Sequence, residues 1–160
     1  MATEFAYLAD YPSAVPLVAG WLFDEWGHER PGLTHDMAVA NLEARLSRDT
    51  IPIQVVAVDN GSVVGVAILK PHELRHRYPN WLYWLGSVFV AHDRRGRGLA
   101  TALCRHVEQI AVQHGVPKLH LQTERLDRGL YASLGFQPIE TIHEGNHEVL
   151  VMAKSLGSED

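Results

Sequence analysis

The chain has 160 residues, of which 46% are apolar, 21% charged and 8% aromatic, and its 14 Lys and Arg against 19 Asp and Glu give a formal net charge of −5. A chain of that size is expected to form one domain that buries roughly 70% of its unfolded surface, and its composition excludes disordered, collagen-like and basic nucleic-acid-binding classes. One cysteine, Cys104, excludes an intrachain disulfide and a cysteine-based zinc site.

The start of the chain, MATEFAYLAD, carries two acids and no basic residue, unlike a secretory leader, so a cytoplasmic setting is expected. Val15, Val18, Leu22 and Trp26 recur at helical spacing, with Ser13 and Pro16 as start signals. Two glycines and a proline in 27–33 end that helix. Thr34 then caps a second one, whose inward stripe is Ala38, Leu42 and Leu46 and whose end falls near Arg48. Ile51 to Val58 and Val63 to Leu69 are β-branched runs joined through Asn60-Gly61, a strong hairpin signal.

A polar segment bounded by Pro71 and Pro79 leads into a long strand, Trp81 to Val90. The apolar run 81–91 falls well short of the ~18 residues that cross a bilayer, so no membrane partner is expected. Leu99, Leu103, Val107 and Ile110 mark a helix that stops at His114-Gly115 before Pro117. Lys118 to Thr123 reads as a strand, Asp127 to Leu134 as a helix closed by Gly135, and Phe136 to His143 and His147 to Lys154 as two last strands. Residues 1–156 are expected to form the domain, with 157–160 a disordered tail.

The stretch Val88-Phe89-Val90-Ala91-His92-Asp93-Arg94-Arg95-Gly96-Arg97-Gly98-Leu99-Ala100-Thr101 joins a strand to a helix through a turn with two glycines and three arginines. Free N–H groups at a helix start favour an anion by about 0.3–2 kcal/mol, and side chains at Gly96 or Gly98 would hold a phosphate away from the backbone. No lysine follows a glycine here, as a Walker loop requires, and Thr101 stands where a dinucleotide fingerprint needs its third glycine.

Arg95-x-x-Gly98-x-Ala100, Gly129-Leu130-Tyr131-Ala132-Ser133-Leu134-Gly135-Phe136 and Val151-Met152-Ala153-Lys154-Ser155-Leu156 occur in that order, and with them the chain resembles the GNAT superfamily of N-acetyltransferases. The likeness covers about residues 15 to 156. It implies an α/β fold: a mixed, mostly antiparallel sheet flanked by helices, whose fourth and fifth strands splay to admit the pantetheine arm of acetyl-CoA. Val88, Phe89 and Val90 would pair with that arm, and Arg95, Gly96, Arg97, Gly98, Leu99, Ala100 and Thr101 would cradle its pyrophosphate. Tyr131 would face the thioester sulfur, where a phenol of pKa about 10 can assist a departing thiolate.

Two positions depart from the family pattern. Thr123-Glu124-Arg125 replaces a frequent asparagine, and Trp84-Leu85-Gly86-Ser87 lacks the strand glutamate that often serves as general base. The base therefore stays open, with His120, paired in alternation with Gln122, or a water chain as candidates. Glu25 and Trp26, with Trp84, are candidate acceptor contacts, since acids and aromatic rings suit a cationic amine. His72-Glu73-Leu74-Arg75-His76 fits the zinc-hydrolase HExxH pattern, but two prolines confine it to about two turns and no third ligand is evident, so no metal is expected. The sequence thus points to acetyl-CoA-dependent transfer to a primary amine of a small molecule or peptide. A non-catalytic acyl-CoA-binding or sensing domain is the alternative, and a homodimer is one of the assembly states left open.

Overall fold

In the computed structural model, which describes residues 3–157, the β-branched runs pair with their neighbours in sequence. Strands β2 (Ile53–Asp59) and β3 (Ser62–Lys70) meet in a hairpin whose Asn60 and Gly61 have φ of 51° and 79°, as the primed turn demands. A short strand the hydrophobic pattern did not reveal, β1 (Glu4–Tyr7), pairs antiparallel with β2. On the other side of β3 lies β4 (Trp84–Val90), followed by β5 (Lys118–Thr123) in parallel. The last strand in the chain, β7 (His147–Ser155), lies antiparallel between β5 and the edge strand β6 (Gln137–Glu144). The seven strands are ordered β1-β2-β3-β4-β5-β7-β6.

Alternation along these strands assigns the two faces. Val55, Ala57, Leu69, Leu85, Leu119, Leu121 and Met152 point to one face, where helix α3 (Leu99–Gln113) buries Leu103, Cys104, Val107 and Ala111 completely. On the opposite face Val56, Val58 and Val66 meet Val15 and Val18 of helix α1 (Val15–Trp26). Helix α2 (His35–Ala44) packs on α1 and buries no residue fully, while Thr34 accepts a bond from Met37 N at 3.1 Å as its cap. The rest of that face is covered by no helix. The connection 71–83 lies there, and Tyr78 and Trp84 join Ile142, Val149 and Val151 in a separate apolar cluster.

Three expected boundaries move. Helix α2 stops at Ala44 because the buried Gln54 amide donates to Arg45 O at 2.9 Å and accepts from Ser47 N at 3.2 Å, drawing the chain off its axis. Strand β4 begins at Trp84, since Trp81 stacks on Tyr78 at 4.2 Å and belongs to the connection. The helix expected over 127–134 is a single 3-10 turn, Gly129–Tyr131. Asp127 spends its carboxylate on Arg125 and Gly129 N, and Arg128 and Gly129 both take left-handed backbone, φ 76° and 55°, which a right-handed helix cannot continue. That turn is braced by Lys154 of β7, whose Nζ donates to Leu134 O at 2.6 Å and lies 2.7 Å from Glu108 Oε1 of α3. Of the expected tail, residues 158–160 lie outside the described residues.

Cys104 is fully buried on α3, and burial pushes its thiol up to about 12. Thiolate is the reactive form, so the native protein should resist thiol-labelling reagents at neutral pH and react after denaturation. Rapid stoichiometric labelling of the native protein would show that α3 does not seal this face.

Candidate active site

Strand β4 changes character at Ser87. Gly86 pairs with Ile68 and Phe89 with Val66, so the residues between them are one more than their partner strand supplies, and Ser87 takes φ 52°. Such a bulge bends its strand. On its other edge β4 makes one Cα pairing with β5, Trp84 with His120, carried by His120 N donating to Tyr83 O at 3.0 Å. Beyond it the two strands part.

The gap opens into a cleft of about 410 Å³. Val88, Phe89 and Val90 form one wall, and Leu130 and Tyr131 from the braced turn form another. The α3 N-terminus closes one end, contributing Leu99, Ala100 and Thr101. Its cap is Gly98 at φ 80°, with no side-chain cap bond, so the first N–H groups of a four-turn helix are free to take an anion. A Cβ at Gly96 or Gly98 would meet nothing within 4 Å, which leaves the backbone of the turn open to a ligand. Arg94 and Arg95 also line the cleft. Arg95 is braced, donating from Nε to Val90 O at 2.8 Å with its guanidinium 5.1 Å from the Phe89 ring centre. Arg94 pairs with Asp59 at 3.2 Å; bonds from Thr3 and Arg94 hold that carboxyl below the usual range.

Of the residues expected from sequence, the structure brings Glu25, Trp26, Val88, Phe89, Val90, Arg95, Gly96, Gly98, Leu99, Ala100, Thr101 and Tyr131 to this one cleft. Arg97, His120 and Trp84 are not among its lining residues. Trp84 is fully buried with its Nε1 donating to Trp81 O at 2.8 Å, so it is a core residue and offers no surface to an acceptor. His120 is 6% exposed and lies against the Trp81 and Trp84 rings at 4.9 and 5.2 Å. Burial lowers its pKa, and its Nδ1 is 3.2 Å from Tyr83 O. The Tyr131 pKa is raised, mainly by burial and then by Cys104 and Glu73, so its phenol keeps its proton at neutral pH.

Glu73 is the group that the residue pattern did not bring out. The connection 71–83 lays its carboxylate on the β4 backbone at Gly86, where a Cβ would collide with Oε2 and come within 3.2 Å of Lys70 Cε. Lys70 Nζ is 2.8 Å from Oε2, and Gln122 Nε2 of β5 donates to Oε1 at 3.0 Å, so the carboxylate bridges the place where β4 and β5 part. A glycine inside a buried strand signals the close approach of another group, and Gly86 was that signal. The segment His72 to His76 is not a helix, so the HExxH spacing does not set its histidines on one helical face, and its Glu73 and His76 are engaged by Lys70 and Glu144.

The sequence pattern of the acetyltransferase (GNAT) family matches residues 12–136. The chain belongs to the GNAT acetyltransferase family. It is 32% identical over 108 residues to an acetyltransferase of Pectobacterium atrosepticum, covering 66% of this chain and 71% of that one. It is 30% identical over 113 residues to an acetyltransferase of Yersinia pestis, covering 69% and 74%. Among solved structures, an aminoglycoside 6'-acetyltransferase type Ii superposes with a TM-score of 0.74 at 20% identity over 100% of both chains. An aminoglycoside 6'-N-acetyltransferase complexed with coenzyme A gives 0.75 at 17% identity, covering 100% of this chain and 99% of that one. Their mixed α/β fold is the fold of this GNAT protein, and acetyl-CoA is the family's acyl donor.

Gly98→Glu places an anion at the helix start and an L side chain at positive φ, a strain of about 1–2 kcal/mol. Calorimetry is expected to show CoA binding abolished, with circular dichroism unchanged and the melting temperature slightly lowered. Retained CoA affinity would remove the turn from the cofactor site.

Proposed function

We propose that this GNAT protein is an acetyl-CoA-dependent N-acetyltransferase that transfers the acetyl group directly to a primary amine of a small molecule or peptide in a ternary complex. The observation that carries this reading is the continuity of the cleft. A β4 edge freed from β5 leads into an uncapped helix N-terminus, with a protonated phenol on the opposite wall. Val88 and Val90 would hold the pantetheine amides, the turn from Arg95 to Thr101 the pyrophosphate. Arg97 supplies its charge from outside the cleft. Glu25 and Trp26, on the α1 side, form the acceptor wall.

Glu73, in place of His120, is the proton acceptor in this reading. His120 is held against two indoles, whereas the Glu73 carboxylate, which like His120 is not a lining residue of the cleft, stands at the point where the strands separate. As the nitrogen bonds to the thioester carbon, Glu73 takes the proton that nitrogen sheds. The carbon–sulfur bond breaks, and Tyr131 donates a hydrogen bond to the departing sulfur. The alternative of a non-catalytic acyl-CoA binder was motivated by a missing carboxylate on β4, and Glu73 supplies one from outside the strand. The single free thiol, buried, suits a cytoplasmic setting.

Acetyl-CoA with a panel of amines should release free CoA thiol, and no release with any amine would favour the non-catalytic alternative. Tyr131→Phe is expected to lower kcat by about 10²-fold while acetyl-CoA affinity stays normal. Near-normal turnover would return Tyr131 to the core. Glu73→Gln should cost a similar factor in kcat and likewise spare acetyl-CoA binding; a variant as fast as the parent would take the proton-accepting role from Glu73.

A further inference from the structure

Glu73, at the point where β4 and β5 part, is already paired. Lys70 of β3 sits 2.8 Å from one oxygen, Gln122 of β5 donates to the other at 3.0 Å, and β4 presents Gly86 beneath them. The ion pair is largely withdrawn from solvent, with side-chain exposures of 27% for Lys70 and 13% for Glu73. The Tyr131 phenol, on the turn before β6, feels the Glu73 charge, and His72 precedes Glu73 in the chain. With Glu73 as proton acceptor, the group that takes the amine proton is a carboxylate already paired with an ammonium of the protein's own.

We infer that Lys70 determines acceptor selectivity: by neutralising Glu73 it makes the site admit the reacting amine as free base, which favours α-amino-type acceptors over lysine-type ε-amines. This rests on the assignment of Glu73 as proton acceptor. An incoming ammonium would have to share a half-buried carboxylate with the Lys70 ammonium, and like charges in such a place repel. A neutral amine meets no such opposition and needs to give up its proton only once it has bonded to the thioester carbon.

The consequence is quantitative. At pH 7.5 an α-amine of pKa about 7.9 is roughly 30% free base, and an ε-amine of pKa about 10.4 roughly 0.1%. The greater nucleophilicity of the more basic amine offsets this ratio of about 200 by on the order of tenfold. A preference of about tenfold or more in kcat/KM remains.

Two isomeric probes test it: lysine amide blocked on its ε-amine, leaving the α-amine free, and lysine amide blocked on its α-amine. The wild-type protein should prefer the first by about tenfold or more, with kcat/KM rising with pH up to each acceptor's own pKa, about 8 and about 10.4. A shared inflection for both probes, or no preference, overturns the inference without any variant. Lys70→Met leaves Glu73 unpaired and able to hold an ammonium, so KM for the ε-amine should fall, kcat should fall with it, and the preference should shrink below about threefold. Lys70→Arg keeps the cation and should keep the preference. If Lys70→Met retains the full preference while Glu73→Gln loses turnover, the proton-accepting role stands and the selectivity role of Lys70 fails. If Glu73→Gln turns over normally, both fail.

Discussion

One backbone pairing, Trp84 with His120, ties β4 to β5, and the cleft opens beyond it. Backbone N–H and C=O groups in a sheet are normally consumed by the next strand. Here the bulge at Ser87 turns β4 aside before that can happen, so Val88 to Val90 keep an edge inside the sheet rather than at its rim. An internal edge is a demanding thing to build, because it has to be held open on both sides. On one face α3 packs against β3 and β4, with Leu99, Leu103 and Val107 in the core cluster there. On the β5 side the Lys154 brace holds the Tyr131 turn, so the wall opposite β4 has a position of its own.

The other face is held open differently. α1 and α2 cover β2 and β3, but β5 to β7 are covered by the irregular connection 71–83, which has no hydrogen-bonded ladder to locate it. Side chains do that work. Glu144 of β6 takes His76 at 3.0 Å and Arg77 at 3.2 Å, and Tyr78, whose phenol burial and Glu140 raise to about 12, donates to Glu140. With Tyr78 and Trp81 stacked above Trp84 and His120, the connection is pinned at its far end, and Glu73 is carried at its near end. The aromatic cluster around His120 thus has a mechanical role in locating Glu73.

From the residues alone the strand–turn–helix over 88–101 could be read because its determinants are local: two glycines, a helix start and a strand end within fourteen positions. The hairpin at Asn60-Gly61 and the stop at Gly115 were legible for the same reason. What escaped were features decided by distant partners. β1 is four residues long and owes its state to β2. The segment 127–134 has an apolar helical pattern that Asp127 overrides by bonding backwards to Arg125. Trp84 has an aromatic ring that suggests a ligand surface until the connection folds over it. Glu73 is thirteen positions from Gly86, and nothing in their spacing announces that one lies on the other.

The strand order carries a consequence for how the chain is made. β7 is the last strand in sequence yet lies inside the sheet, between β5 and β6, and its Lys154 fastens the turn that carries Tyr131. As a chain emerges from the ribosome, β5 waits without its antiparallel partner, β6 waits without any, and Glu108 on α3 waits for its cation. The turn 91–98 and the internal edge of β4 can form before then, because their partners in β3 and α3 are already synthesised. The uncapped α3 N-terminus is therefore in place before the wall that Lys154 fastens. Insertion of the final strand is what completes the walls of the cleft.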